Sequence, residues 1–292
     1  MSVDRLQERI RKVKNPIIVQ FDLDRKLIPP HIVNEERQLL HAYGRYCLEL
    51  LEGLTQIVSA VRFSFSPFAV LGVDGLALLS KLLGKAAQLG YYVILDVPEA
   101  LTSQQAEANA EAFCGAGAQW KADSVVVSSY IGTDALKPYC SYIKDNKKSL
   151  FSVVRTGNKS AAELQDLLSG SRLAHMAQAD FTNRLAEPYM GRSGYCRIGA
   201  TVSATAGDSI RNLRDKYKYL FLLIDGFDYP GANGKNCSFA FDKLGHGAAV
   251  CVGSSITGAW LEGCPSGTDY VGCARNACER IKKNLLRYIT IL

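Results

Sequence analysis

Eight short apolar runs punctuate the chain, most of them separated by enough residues to hold a helix. They lie at Pro16 to Asp22, Ile57 to Phe63, Tyr91 to Asp96, Ser124 to Val127, Leu150 to Val154, Tyr195 to Ala200, Leu220 to Ile224 and Ala248 to Val252. A strand that is apolar at nearly every position is buried on both faces, as in a parallel sheet covered by helices. Several intervening segments, Val73 to Leu89, Ser103 to Phe113 and Ala161 to Leu168, space their apolar residues with a helical period. Eight such units within 292 residues predict a closed (β/α)8 TIM barrel. A doubly wound open sheet is the alternative, because a miscount of one or two strands would admit it.

A barrel also explains the length. The average domain size would divide a chain like this in two, but a barrel of roughly 250 residues forms one domain. Residues 1–292 are therefore read as a single barrel domain. Val3, Leu6, Ile10 and Val13 open it with an amphipathic helix, and Asp269 to Leu292 closes it with another. The longest unpatterned stretch, Asp228 to Gly247, follows the seventh strand. It reads either as a lid or as a plain surface excursion.

Composition narrows the function classes. Hydrophobic residues make up 48% and charged residues 21%, which suits a packed core and argues against disorder. The net charge of +6 is spread over short clusters at Arg9 to Lys12, Lys144 to Lys148, Arg211 to Lys218 and Lys282-Lys283. These read as solvated helix faces, so no nucleic-acid partner is expected. The nine cysteines form no C-x-x-C pair, and only Cys273 and Cys278 are close in sequence. No metal and no cofactor are expected, and the thiols read as reduced residues of a cytoplasmic protein. The charged N-terminus does not read as a signal peptide, and no apolar stretch approaches the ~18 residues of a membrane span. His31, His41, His175 and His246 gather around no Ser or Cys in sequence, so no triad is predicted.

In such barrels the site is built at the C-terminal ends of the strands. Asp22, Asp96-Val97-Pro98, Arg155-Thr156-Gly157-Asn158, Ile224-Asp225-Gly226-Phe227 and Gly253-Ser254-Ser255 all follow directly on apolar runs. Taken with Arg5 to Ile10, Ala122 to Val125, Tyr130 to Asp134 and Gly199-Ala200-Thr201, their order resembles the orotidine 5'-phosphate decarboxylases of the longer bacterial subtype. The likeness runs from the first helix to about Trp260. It implies a (β/α)8 barrel, and a homodimer with the loop from Pro98 to Ser103 near the two-fold interface.

The resemblance also marks what is altered. The family's Asp-x-Lys-x-x-Asp motif after strand three is here Asp96-Val97-Pro98-Glu99-Ala100-Leu101, so the Lys position holds Pro98 and the second Asp position holds Leu101. Arg62 stands where the family has a Lys at the end of strand two. The phosphate-gripping Gln and Arg of loops seven and eight fall on Pro230 and Ser254. Asp225 and Asp228 replace an uncharged Pro and Gly. Proline carries no ionisable group, and Arg62 is a poor proton donor near neutral pH.

The resemblance thus carries over Asp22, Arg62 and Asp96 as catalytic positions. Thr156, Asn158, Gly226, Gly253 and Ser254 become ligand-binding positions, with the Gly226 and Gly253 amides left open to a phosphate. Asp22 and Asp96 are read equally well as loop-capping acids or as internal partners of Arg62. Thr156 and Asn158 also suit ordinary turn chemistry, and Glu99 suits a helix start. Three functions follow. The first is a relative without decarboxylase activity that binds a metabolite or a partner. The second is an enzyme with new chemistry at the same mouth. The third is a divergent but active carboxy-lyase of pyrimidine metabolism.

Overall fold

The computed structural model describes residues 3–145 and 148–292. The eight strands of its barrel are β1 (Ile17–Phe21), β2 (Ala60–Ser64), β3 (Tyr92–Asp96), β4 (Ser124–Ser128), β5 (Ser149–Arg155), β6 (Ile198–Ser203), β7 (Leu222–Asp225) and β8 (Ala248–Val252). Each pairs in parallel with its neighbours in chain order, and β1 returns to β8 to close the barrel. The open-sheet alternative is thereby excluded.

The apolar pattern drives this closure. Ile17, Ile18, Val19, Ala60, Val61, Ile94, Leu223 and Val250 are fully buried, between the barrel interior and the surrounding helices. The N-terminal helix (Val3–Val13) buries Val3, Leu6 and Ile10. Its Arg5 pairs with Asp123 and donates to the Tyr91 carbonyl at 2.8 Å. Both partners precede strands, so this helix caps the end of the barrel opposite the site. The closing helix (Tyr270–Leu285) starts where Asp269 accepts the Gly272 amide at 3.0 Å. It ends seven residues before the C-terminal Leu292, so the helix expected up to that residue is shorter.

Three further expectations need correction. β2 begins at Ala60 because Ile57 and Val58 donate back to the Leu54 carbonyl and finish the preceding helix. β6 is displaced to Ile198–Ser203, since the Tyr195 hydroxyl is drawn 2.8 Å from Asp242 and Cys196 bridges to Met190. The helix expected over Ala161 to Leu168 does not form. A short 3-10 turn (Lys159–Glu163) gives way to a ribbon pairing Leu168–Ser169 with Arg172–Leu173, and the helix follows at Ala174–Ala186. Gly170, at φ +67°, lets the ribbon reverse.

The stretch from Asp228 to Gly247 contains a short helix at Gly234–Ser238. Of the basic run from Lys144 to Lys148, Asn146 and Lys147 lie outside the described residues. Among the described residues no helix is long and apolar enough to cross a membrane.

Candidate ligand site at the barrel mouth

Because the strands are all parallel, their last residues share one rim. The sheet register then fixes who sits beside whom: Gln20 beside Arg62, Ser64 beside Asp96, and Ser203 beside Asp225. Asp22 and Asp96 follow or end β1 and β3, so both stand at the mouth, as expected.

Arg62 is the centre of this rim. Its side chain is 8% exposed and has two carboxylate partners. Nε donates to Asp96 at 2.7 Å, and Nη1 pairs with Asp225 and lies 3.5 Å from the Cys251 sulfur. Asp96 is braced in turn by the Ser64 hydroxyl at 2.7 Å. Burial works against the charge of Arg62, but Asp225 and Asp96 outweigh it and hold the guanidinium protonated. Burial, reinforced by Asp225, keeps Cys251 a thiol.

Asp22 is not a direct partner of Arg62. It accepts from the Gln20 amide at 2.9 Å. Its pKa is raised, first by burial and then by Asp228 and Asp96; Gln20 and Arg62 offset this only in part.

The opposite wall is where a phosphate would be expected, and it is already occupied. One Asp228 oxygen accepts the Gly253 amide at 2.7 Å and the other accepts the Ser255 amide at 2.8 Å. The Gly253 amide is therefore not open to a ligand, contrary to expectation. Both new acids face inward: Asp225 onto Arg62, Asp228 onto loop eight. Tyr229 lays its ring beside Gly157, where an added Cβ would come 2.6 Å from the Tyr229 ring and 2.6 Å from the Ser203 hydroxyl. Any side chain at this position would have to displace the Tyr229 ring or the Ser203 hydroxyl.

A cavity of about 320 Å³ opens between these walls. Asp22, Arg62, Thr156, Gly226 and Ser254 line it, as do Gln20, Gly157, Asp225, Asp228, Tyr229 and Cys251. Asp96, Asn158 and Gly253 are not on its wall. Thr156 is held by Gln165, whose Oε1 accepts the Thr156 amide at 2.8 Å, and Arg155 is turned away into a two-point pair with Asp166 at 2.8 Å. Asn158 is exposed and accepts from Thr156 Oγ1 at 2.6 Å. Pro98 gives its carbonyl to Asn109 at 2.9 Å, while Glu99 is exposed and Leu101 is 73% exposed.

Sequence reasoning missed Gln20, Cys251 and Tyr229. Gln20 alone left a trace, as the one polar residue inside the first apolar run. Cys251 sits in a Val-Cys-Val run and reads as a small hydrophobe.

Taken together, the molecule is a (β/α)8 barrel protein whose strand ends enclose a small polar cavity with three carboxyls and one guanidinium. No protein-family model matches the chain. It is 27% identical over 289 residues to the orotidine 5'-phosphate decarboxylase of Clostridium botulinum (strain Loch Maree / Type A3), covering 98% of this chain and 99% of that protein. It is 27% identical over 290 residues to that of Clostridium kluyveri, covering 98% of both. Among solved structures it is similar to the orotidine 5'-monophosphate decarboxylase of Plasmodium berghei, with a TM-score of 0.79 at 17% identity over 97% of this chain and 99% of that one. It is also similar to the OMP decarboxylase of Leishmania donovani, with a TM-score of 0.74 at 23% identity over 98% and 99%. The chain is thus similar over nearly its whole length to orotidine 5'-phosphate decarboxylases, and carries Pro98 and Leu101 at two positions of the motif after β3.

Proposed function

We propose that this protein is a member of the family that does not decarboxylate, and that it binds a small neutral or cationic metabolite at the barrel mouth. One observation carries the reading: the Asp228 carboxylate takes the Gly253 and Ser255 amides. Those donors are what a phosphate on loop eight would use, and the loop's family Arg is replaced by Ser254. A phosphate arriving there meets a fixed anion. Two unit charges ~4 Å apart repel by about 4 kcal/mol at a surface dielectric near 20, roughly the free energy of a millimolar binding constant.

The chemistry at the other wall supports the same reading. Decarboxylation leaves a carbanion that needs a proton. The family supplies it from the Lys that is here Pro98, and Arg62 is locked between Asp96 and Asp225. A spectrophotometric assay with orotidine 5'-phosphate is therefore expected to stay at background, and Pro98→Lys alone not to restore turnover. Robust turnover by the unmodified protein would reject the proposal.

A second reading, new chemistry at the same mouth, rests on Asp22. A half-buried carboxyl with a raised pKa beside a cavity is suited to general acid–base work. Its test is substrate screening with Asp22→Asn as control, since activity that survives in the variant would exclude Asp22 as the base.

A homodimer completes the proposal. Leu101 after β3 is exposed, as are Val70 and Val73 after β2 and Tyr130 after β4. Apolar side chains on the segments after three adjacent strands, Val73 in the first turn of the helix Gly72–Gln88, suit burial against a second copy.

A further inference from the structure

Away from the mouth, the structure brings together two cysteines that are nine positions apart in sequence. Cys264 ends the short helical turn after β8, and Cys273 lies in the first turn of the closing helix. The segment between them folds back on itself. Gly267 donates to the Cys264 carbonyl at 2.7 Å and Cys273 to the Asp269 carbonyl at 3.0 Å. A Cβ on Gly263, the residue before Cys264, would lie 3.3 Å from the Cys273 sulfur. Burial first, and then the charge of Cys264, raise the pKa of Cys273, so the two sulfurs lie within electrostatic reach of each other.

The surroundings of Cys264 favour its thiolate. Its sulfur is 3.2 Å from the Ser266 hydroxyl and 3.9 Å from that of Thr268. The Ser266 hydroxyl, then the Asp269 amide and the Thr268 hydroxyl, lower its pKa to about 7. Every other cysteine is shifted upward, chiefly by burial. Cys264 and Cys273 are both partly exposed. A cavity of about 340 Å³, lined by Cys273, Gly263, Glu262 and Arg280 among others, gives a small oxidant access from the Cys273 side.

We propose that Cys264 and Cys273 form a peroxide-oxidisable dithiol, with Cys264 attacking and Cys273 resolving. In the first step the Cys264 thiolate attacks one oxygen of a hydroperoxide. The O–O bond breaks, hydroxide or alkoxide leaves, and a sulfenic acid remains on Cys264. In the second step the Cys273 sulfur attacks the Cys264 sulfur. The S–O bond breaks, the S–S bond forms, and the Cys273 proton leaves with the hydroxyl as water. With hydrogen peroxide, two thiols and one peroxide give one disulfide and two waters. The segment that this bond would close packs against Pro29, in the loop after β1, through Gly267.

The test uses the full chain treated with hydrogen peroxide near pH 7 and digested without reduction. Cleavage before Asp269 separates the two cysteines, so a disulfide appears as two joined peptides, lighter by about two mass units in total. Cys264 is expected to react at least about tenfold faster than the partly exposed Cys140, whose pKa is raised. In Cys273→Ser, a sulfenic acid trapped by dimedone should accumulate on Cys264. In Cys264→Ser, Cys273 should stay reduced at the same dose. The proposal is overturned if Cys264 is oxidised no faster than Cys140. It is equally overturned if Cys264 is oxidised without joining Cys273, or if Cys273 is oxidised alone in the Cys264→Ser variant.

Discussion

Arg62 Nε donates to Asp96 at 2.7 Å, across 34 positions of sequence and two adjacent strands of the barrel. The Nη1 of the same guanidinium reaches Asp225 from the far side of the ring. One cation is thereby shared by two acids. The residue that stands at the family's Lys position thus ties β2 to acids on β3 and β7.

Removing that cation should be costly. Breaking a buried ion pair from one side costs about 3–5 kcal/mol. The carboxylates here are partly wet, with Asp96 and Asp225 exposed by 23% and 26%, so screening reduces the penalty. Arg62→Met is expected to lose about 2–3 kcal/mol in urea unfolding. Asp96→Asn should lose less, about 1 kcal/mol, because Asp225 still pairs with Arg62. Equal losses for the two variants would show that the guanidinium is not shared.

Asp22 should give the mouth a pH signature. Its pKa is raised in the folded protein, chiefly by burial and then by Asp228. The folded state therefore holds the proton more tightly than the unfolded chain, whose Asp titrates near 3.9. This stability is fully present below that value and is lost as pH rises through the folded pKa. Asp22→Asn keeps an oxygen for Gln20 and removes the charge. Thermal unfolding should show the variant more stable than the parent at pH 7, with the gap closing toward pH ~4. A gap that does not change with pH would mean the carboxyl is not strained by burial.

The barrel could be read from the sequence because a strand buried on both faces has to be apolar along its length, and all eight such runs were visible. The rim acids Asp22 and Asp96 could be read for a related reason, as charges that end apolar runs. The partners of Arg62 could not. Asp225 and Cys251 meet it across 163 and 189 positions, and no local period encodes contacts that only closure creates. The Ala161 to Leu168 helix failed for a local reason. Its leucines are spaced helically, but Leu164, Leu167 and Leu168 end up exposed and Gly170 turns the chain. The periodicity there marks no buried face.

The proposed dimer rests on the exposed apolar side chains after β2, β3 and β4. If Leu101, Val70, Val73 and Tyr130 are covered by a second copy, placing a charge at Leu101 should oppose association. Sedimentation velocity at micromolar concentration is expected to show a dimer for the parent chain and a shift toward monomer for Leu101→Glu, with an unchanged circular dichroism spectrum. A monomeric parent chain would refute the interface. So would a dimer indifferent to the charge.

The phosphate wall gives the sharpest prediction, because a single carboxylate is held responsible. Asp228 satisfies the Gly253 and Ser255 amides and adds a negative charge at the same point. Uridine monophosphate is accordingly expected to bind no better than millimolar in calorimetric titration. Asp228→Gly frees both amides and removes the charge; Asp228→Asn removes only the charge and leaves an oxygen to accept. If repulsion dominates, both variants should tighten binding of uridine monophosphate. If occupation of the amides dominates, only Asp228→Gly should. The Coulomb term at ~4 Å is about 4 kcal/mol and each tenfold in affinity is about 1.4 kcal/mol. A gain of tenfold or more is therefore expected in Asp228→Gly even after Ser254 fails to supply the missing positive charge. Uridine, lacking the phosphate, should respond to neither substitution. Should the parent chain bind uridine monophosphate with a low-micromolar constant, or Asp228→Gly bind it no tighter, Asp228 would not be the residue that closes this wall to phosphate.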